Sequence, residues 1–183
     1  MVPRPGANPN LGRQRYIRGA AAEPDTDSCA ALEAAAHEGD VEAVRMLLDA
    51  GALIKNGSPL HSAARACPPG ANPHTTRVVP TKEFDTSMIP VMALLVERGA
   101  DVNEAEKTRY VTQQFPINHA ISAGAVERVR WLLEHGANPE LRGPWGTAVQ
   151  LAQYTKREEM IKVLEEGVAA RKWIKDAPKT EPI

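Results

Sequence analysis

Three apolar helix ends in this sequence run directly into a glycine and a turn, and this repeated punctuation most limits the possible folds. "RMLLDAGALIK", "LLVERGADVN" and "WLLEHGANPE" end their helices at Gly51, Gly99 and Gly136, and "GANPN" repeats the turn at Gly6. Glycine takes the left-handed conformation after a helix C-terminus, and a following proline prevents the helix from continuing. The uneven spacing of these turns indicates a regular unit that carries insertions.

The segment 115–140 shows the whole unit. Pro116 favours the start of a first helix, and Gly124 ends it. A second helix then presents one apolar face before Gly136, formed by Val126, Val129, Leu132 and Leu133. The segment 30–55 overlays on this one without a gap, so the sequence predicts two short helices and a turn as its repeated element.

Two further segments fit the same pattern. "SPLHSAA" begins one of them with Ser58 as a predicted helix N-cap, and its partner helix resumes near Ile89. The segment 147–166 begins with Thr147 in the capping position. It places Glu165 where the other units carry Leu or Val, which is expected of a terminal repeat with a solvated outer face.

These motifs resemble the ankyrin repeat. "SPLHSAA", "FPINHA" and "GTAVQLA" are similar to its Thr-Pro-Leu-His-x-Ala signature, and "LLVERGADVN" is similar to its end. The last unit is also similar to a variant found in fungal arrays. The resemblance implies an all-α solenoid of about four degenerate repeats with short β-hairpin or loop fingers. The predicted repeats occupy 30–57, 58–114, 115–146 and 147–168.

Four regions depart from the regular pattern. In the second repeat, the loop 67–87 replaces the tight turn between helices, and its four prolines favour an irregular conformation. The long finger 104–114 is expected to project from the array. Residues 1–29 carry a remnant repeat end and are expected to cover the first repeat; a shortened array and a fragment of a longer protein both remain open. Residues 169–183 form a C-terminal cap and tail, with a short helix carrying Trp173.

The composition excludes several classes of protein. The net charge of −1 argues against a protein that binds nucleic acid by neutralising phosphates. The longest apolar run, "IPVMALLV", is shorter than a membrane-spanning helix, and the N-terminus lacks a secretory signal. With two cysteines in unlike contexts, a disulfide scaffold is not expected. We therefore expect an intracellular protein, cytoplasmic or nuclear, that is monomeric by itself.

The sequence contains no recognised catalytic, cofactor-binding or metal-binding pattern. Cys67 and His74 share the long loop, but two ligands are too few for a zinc site. The resemblance implies that His61, in the signature motif, forms a structural hydrogen bond. An enzyme or metal-binding protein that uses the 67–87 loop is retained as a minor alternative.

The resemblance to ankyrin repeats implies a non-catalytic module that binds another protein through its concave surface, as an adaptor, scaffold or inhibitor. A nuclear co-regulator that binds a transcription factor is the alternative with the same fold. Carried over by position, the candidate partner-binding residues lie on two fingers and at the exposed ends of first helices. They are Lys107, Arg109, Tyr110, Gln113 and Gln114, then Arg142 and Trp145, and finally His37, Glu38, Ser122 and Tyr154. His119 is also expected to face the groove.

Overall fold

The computed structural model describes residues 7–12, 16–17, 20–21, 25–69, 71, 79–106 and 113–176. Two two-residue strands, β1 (Tyr16–Ile17) and β2 (Ala20–Ala21), pair antiparallel ahead of the helices. The helices are α1 (Ala30–Glu38), α2 (Val41–Asp49), α3 (Pro59–Ala64), α4 (Lys82–Ser87), α5 (Ile89–Glu97), α6 (Pro116–Ala123), α7 (Val126–Glu134), α8 (Ala148–Tyr154) and α9 (Glu158–Asp176). The fold is all-α, as the sequence predicts.

The helices form four antiparallel pairs that stack side by side. The pairs are α1 with α2, α3 with α5, α6 with α7 and α8 with α9. The first helices pack in one row, α1 on α3, α3 on α6 and α6 on α8, while α2 packs on α5 and α7 on α9. Leu47, Leu95 and Leu132, at one position of successive second helices, are 7%, 0% and 0% exposed. A continuous apolar core therefore runs through the stack, as in repeat proteins.

Local sequence signals fix most of the helix ends. Gly39 and Gly124 end α1 and α6 in the left-handed conformation, at φ values of 73° and 76°. Lys156 takes the same conformation in the last pair, at φ 55°, although a residue with a side chain is strained there. Thr147 caps α8 with its hydroxyl as predicted. Ser58 is the N-cap residue of α3, but among the described residues its side chain forms no capping hydrogen bond.

The long insertion differs from its prediction. Residues 82–87, expected to be irregular, form α4, and the Thr81 hydroxyl caps this helix by accepting from the Phe84 N–H at 3.3 Å. The helix packs on α7 and α5. Val79 is exposed and Phe84 is partly buried against the core. Residues 70 and 72–78, which include His74, lie outside the described residues.

Chain segments near both termini bond to the ends of second helices. At the N-terminal end, the Asn10 side-chain amide donates to the Gly51 carbonyl at 2.9 Å, and its oxygen accepts from the Leu53 N–H at 3.0 Å. At the C-terminal end, Arg171 Nη1 donates to the Gly136 carbonyl at 3.2 Å. The predicted separate cap helix is wrong, because residues 169–176 continue α9 without a break. The side chain of Trp173 lies outside the described residues.

Candidate functional site: the groove floor and its fingers

The row of first helices forms the floor of the candidate site, and the fingers that precede each helix form its edge. Each finger must meet the N-terminus of a first helix. The finger 104–114 leads into α6, and His61 of the preceding first helix holds its base: His61 Nε2 lies 3.0 Å from the Glu104 carbonyl and 3.2 Å from the Gln114 carbonyl. Since both partners are acceptors, Nε2 carries the proton and donates. The signature histidine thus forms a structural hydrogen bond, as the resemblance implies.

The surroundings of His61 keep its ring neutral. Burial, together with the nearby ring of His119, lowers the pKa of His61 to about 4, although Glu106 and the two carbonyls oppose the shift. The two imidazole rings meet edge to face, with centroids 5.6 Å apart. A neutral ring that is 2% exposed is suited to positioning the finger and unsuited to binding a partner.

The base of the finger 104–114 is closed by a backbone hydrogen bond. The Glu106 N–H donates to the Gln114 carbonyl at 2.7 Å, which closes the base of the finger. The Glu106 carboxylate then turns onto the floor, where Oε1 lies 3.3 Å from Arg65 Nη1 and Oε2 lies 3.2 Å from His119 Nε2. The tip, 107–112, lies outside the described residues. Whether the finger projects therefore stays a prediction.

In the middle of the groove, the predicted partner-binding residues are not all exposed. His119 was expected to face the groove, but it is 6% exposed because the Glu106 side chain covers it. Gln113, Gln114 and Ser122 are partly exposed. Lys107, Arg109 and Tyr110 lie outside the described residues, so their placement stays a prediction.

The C-terminal end of the groove is open. Arg142 is exposed, Trp145 is 54% exposed and Tyr154 is 81% exposed. Trp145 lies in a tight turn, closed by two backbone hydrogen bonds between Gly143 and Gly146 at 3.0 and 3.1 Å. Tyr154 shares an exposed face of α8 with Gln150 and Gln153 at helical spacing. The side chains of Trp145 and Tyr154 are therefore exposed to solvent, one just before α8 and the other at its end.

The N-terminal end of the groove is also exposed but more polar. His37 and Glu38 lie in the last turn of α1 and are both exposed. His37 Nδ1 approaches the Ser62 carbonyl at 3.3 Å, which links α1 to α3. These residues are accessible to a partner, although they carry less apolar surface than Trp145 and Tyr154.

The sequence analysis missed a buried ion pair next to the groove. Arg128 Nε donates to Asp85 Oδ1 at 2.7 Å, and Nη1 donates to the carbonyls of Ala63 and Ala64, both at 2.9 Å. The Asp85 carboxylate also accepts from the Glu127 N–H at 2.7 Å, so α4 caps the start of α7. The available signal was an arginine at a core position, where α2 has an alanine and α5 a valine.

The described residues give no support to a catalytic or metal site. They contain no group of three or more His, Cys, Asp or Glu side chains that could hold a metal ion. Burial raises the pKa of the Cys29 thiol to about 12, with Glu33 adding to the rise, and burial raises the pKa of the Cys67 thiol despite Arg128 and Arg157 nearby. A thiol with a raised pKa is a poor nucleophile at neutral pH.

Comparison with known families matches one segment of this sequence. The model of the family described as "Ankyrin repeat" matches residues 113–144, which span the end of the 104–114 finger, α6, α7 and most of the following finger. A search of curated proteins found no match. Among the described helices, none is long and apolar enough to cross a membrane.

Proposed function

Because the chain is an ankyrin repeat protein, we propose that it is a non-catalytic interaction module. It binds another protein through the concave side of the stack and acts as an adaptor, scaffold or inhibitor. Stacked helix pairs leave an extended concave surface, and such surfaces bind proteins. The net charge of −1 is consistent with a protein partner rather than with nucleic acid.

The observation that carries this proposal is the pair of exposed aromatic side chains around α8. Trp145 is 54% and Tyr154 is 81% exposed, in a protein whose other described large apolar side chains are mostly buried. Tryptophan, tyrosine and arginine are the usual energetic anchors of protein interfaces. The seven residues of α8, about 10 Å long, lie between the turn that carries Trp145 and the position of Tyr154 at the end of the helix. We assign the main contact to Trp145, Tyr154 and Arg142, with His37 and Glu38 at the far end.

The two remaining groups of candidates have secondary parts in this proposal. Gln113, Gln114 and Ser122 line the accessible edge of the floor between the two ends. Lys107, Arg109 and Tyr110, which lie outside the described residues, are proposed as additional contacts. His119 is withdrawn as a direct contact in the described state, because Glu106 covers it.

A comparative pull-down with the intact chain tests the assignment. We expect the Trp145→Ala/Tyr154→Ala double variant to lose most of the partner that the wild-type chain recovers. The control is Leu11→Ala/Val79→Ala, which removes two exposed apolar side chains, 46% and 59% exposed, from the N-terminal segment and from the 67–87 insertion. Equal recovery by the wild type and both variants would remove Trp145 and Tyr154 from the binding surface.

A further inference from the structure

The floor of the groove does not hold the last finger as it holds the finger before it. His61 of α3 donates to two carbonyls at the base of the finger 104–114. Asn118 takes the same place in α6. Among the described residues its side chain forms no hydrogen bond, and its Oδ1 is buried and unpaired. The finger 141–146, which carries Trp145, therefore lacks the hydrogen bonds to the floor that His61 makes one repeat earlier.

The last finger instead meets the base of the preceding finger at Gly143. A methyl group added to Gly143 would lie 3.3 Å from Asn118 Nδ2. It would lie 3.5 Å from Gln114 Oε1 and 3.5 Å from the Gln113 carbonyl oxygen. Two backbone hydrogen bonds close the turn that begins at Gly143 and presents Trp145. The side chain of Gln114 therefore lies against one end of the turn that carries Trp145.

The backbone of Gln114 is held in a conformation that disfavours a side chain. Its φ of 70° is in the left-handed region, and the Phe115 N–H donates to the Gln113 carbonyl at 2.9 Å, as in a γ-turn. The Gln114 carbonyl accepts from the Glu106 N–H and from His61 Nε2, which fixes the turn. Glycine would take this conformation without strain, and strained positions of this kind cluster at functional sites. The direction of the Gln114 side chain is thus set by a fixed backbone.

We propose that Gln114 is a positioning residue for Trp145, and that its contact with Gly143 sets the place of the last finger over the groove. The proposal rests on the proposed function, because it assigns the residue that orients an aromatic side chain of the same binding surface. It also names the kind of partner, which is one that contacts two adjacent fingers at once. The position of Trp145 depends on the finger 104–114, so a partner that engages both fingers makes use of the contact between them.

Amide hydrogen exchange of the ¹⁵N-labelled full chain, followed by NMR, measures this positioning without knowledge of the partner. Gln114→Gly removes the side chain and relieves the strained φ. We expect the amides of Gly143 and Gly146 to exchange about three- to tenfold faster in this variant, the size expected for the loss of one weak contact. The heteronuclear NOE of the Trp145 indole N–H is expected to fall. The melting temperature is expected to stay the same or rise, because glycine favours the left-handed conformation.

Two further variants separate positioning from strain and from the other contacts of Gln114. Lys156→Gly relieves the same kind of strain, at φ 55°, in the turn between α8 and α9. This control is expected to leave the exchange at Gly143 and Gly146 unchanged. Gly143→Ala is compatible with the backbone, because φ at this residue is not positive. It leaves Gln114 in place and presses on its Oε1 from the other finger, so we expect shifts of the Gln114 side-chain amide and of the Trp145 indole.

Three results would overturn the positioning role. The first is unchanged exchange at Gly143 in Gln114→Gly, and the second is an equal acceleration in Lys156→Gly. The third is a lower melting temperature of Gln114→Gly with unchanged signals of Trp145, because Gln114 would then only stabilise the fold.

The outcome is distinguishable from the test of the proposed function. In the pull-down, Gln114→Gly is expected to recover less partner than the wild type and more than the Trp145→Ala/Tyr154→Ala variant. If the double variant loses the partner while exchange is unchanged in Gln114→Gly, the binding surface stands and the positioning role is wrong. If exchange changes as expected while the double variant keeps its partner, the contact between the fingers stands and the assignment of Trp145 and Tyr154 to the binding surface is wrong.

Discussion

His61 and His119 show how far single residues were predictable. The hydrogen bond of His61 to the finger follows from the signature motif, because the side chain always meets the same backbone there. His119 occupies the variable position of the same motif, and its neighbour is set by a finger of unusual length. The covering carboxylate of Glu106 comes from 13 residues away in the chain, and no local pattern specifies it.

At the residue scale, the buried ring of His61 predicts a pH dependence of stability. Its folded-state pKa of about 4 is below the ordinary value of 6.5, so only the unfolded chain gains a proton as the pH falls through 6.5. The contribution is fully present above pH 6.5 and is lost progressively toward pH 4. We expect it to lower the free energy of unfolding by about 2 kcal/mol between pH 7 and pH 5.

Urea unfolding of the wild type and His61→Asn at several pH values measures this difference. Asparagine is the matched replacement, because Asn118 holds the corresponding position of α6. The variant is expected to show a smaller loss of stability on acidification, because asparagine takes up no proton in the unfolded chain. Parallel pH profiles for the two proteins would contradict the role of His61.

At the scale of elements, α4 is a helix that its local sequence does not predict. Its six residues are too few to form a stable isolated helix, so its proline- and threonine-rich surroundings predicted a loop. Packing on α7 and the Asp85–Arg128 pair supply the missing stability. The helices α2, α5, α6 and α7 were predictable because their apolar spacing and terminal glycine or proline agree with their packing.

The buried ion pair predicts an unequal response to two aspartate substitutions. Asp85→Ala leaves Arg128 buried without a counter-charge and uncaps α7, so we expect a loss of about 3–5 kcal/mol in the free energy of unfolding. Asp49→Ala removes the exposed partner of Arg98 and is expected to cost less than about 1 kcal/mol. Urea unfolding of both variants measures the difference.

The same experiment has an internal check. In an Arg128→Val background, where valine is the residue that α5 carries at this position, Asp85→Ala is expected to cost much less, because no charge is left unpaired. Equal costs of Asp85→Ala in both backgrounds would show that the pair is not coupled.

At the scale of the whole molecule, one contact recurs along the stack. Asn103 donates to the Gly136 carbonyl at 3.0 Å and accepts from the Asn138 N–H at 2.7 Å, which repeats the contacts of Asn10 with Gly51 and Leu53. The remnant repeat end "GANPN" therefore docks as a repeat end does. The stack itself was predictable from the repeated pattern, whereas the continuous α9 was not, because its polar C-terminal part lacks a periodic apolar signal.

The recurrence predicts that the N-terminal segment contributes to folding like an internal repeat boundary. We expect Asn10→Ala and Asn103→Ala to lower the free energy of unfolding by similar amounts, about 1–2 kcal/mol each, because each removes two hydrogen bonds to backbone groups. Thermal and urea unfolding of the two variants give the comparison. If Asn103→Ala lowers the free energy of unfolding and Asn10→Ala does not, the contacts of residues 7–12 with the array do not contribute to stability.

The way α4 completes α7 limits how this chain can be redesigned. Excising residues 67–87 to recreate a tight turn would delete the carboxylate that both neutralises Arg128 and begins α7. The excision would leave the buried Arg128 guanidinium without its counter-charge. A shortened version of the protein must therefore replace Arg128 with an apolar residue, and place an aspartate before α7 in the manner of Asp40 before α2, in a single step.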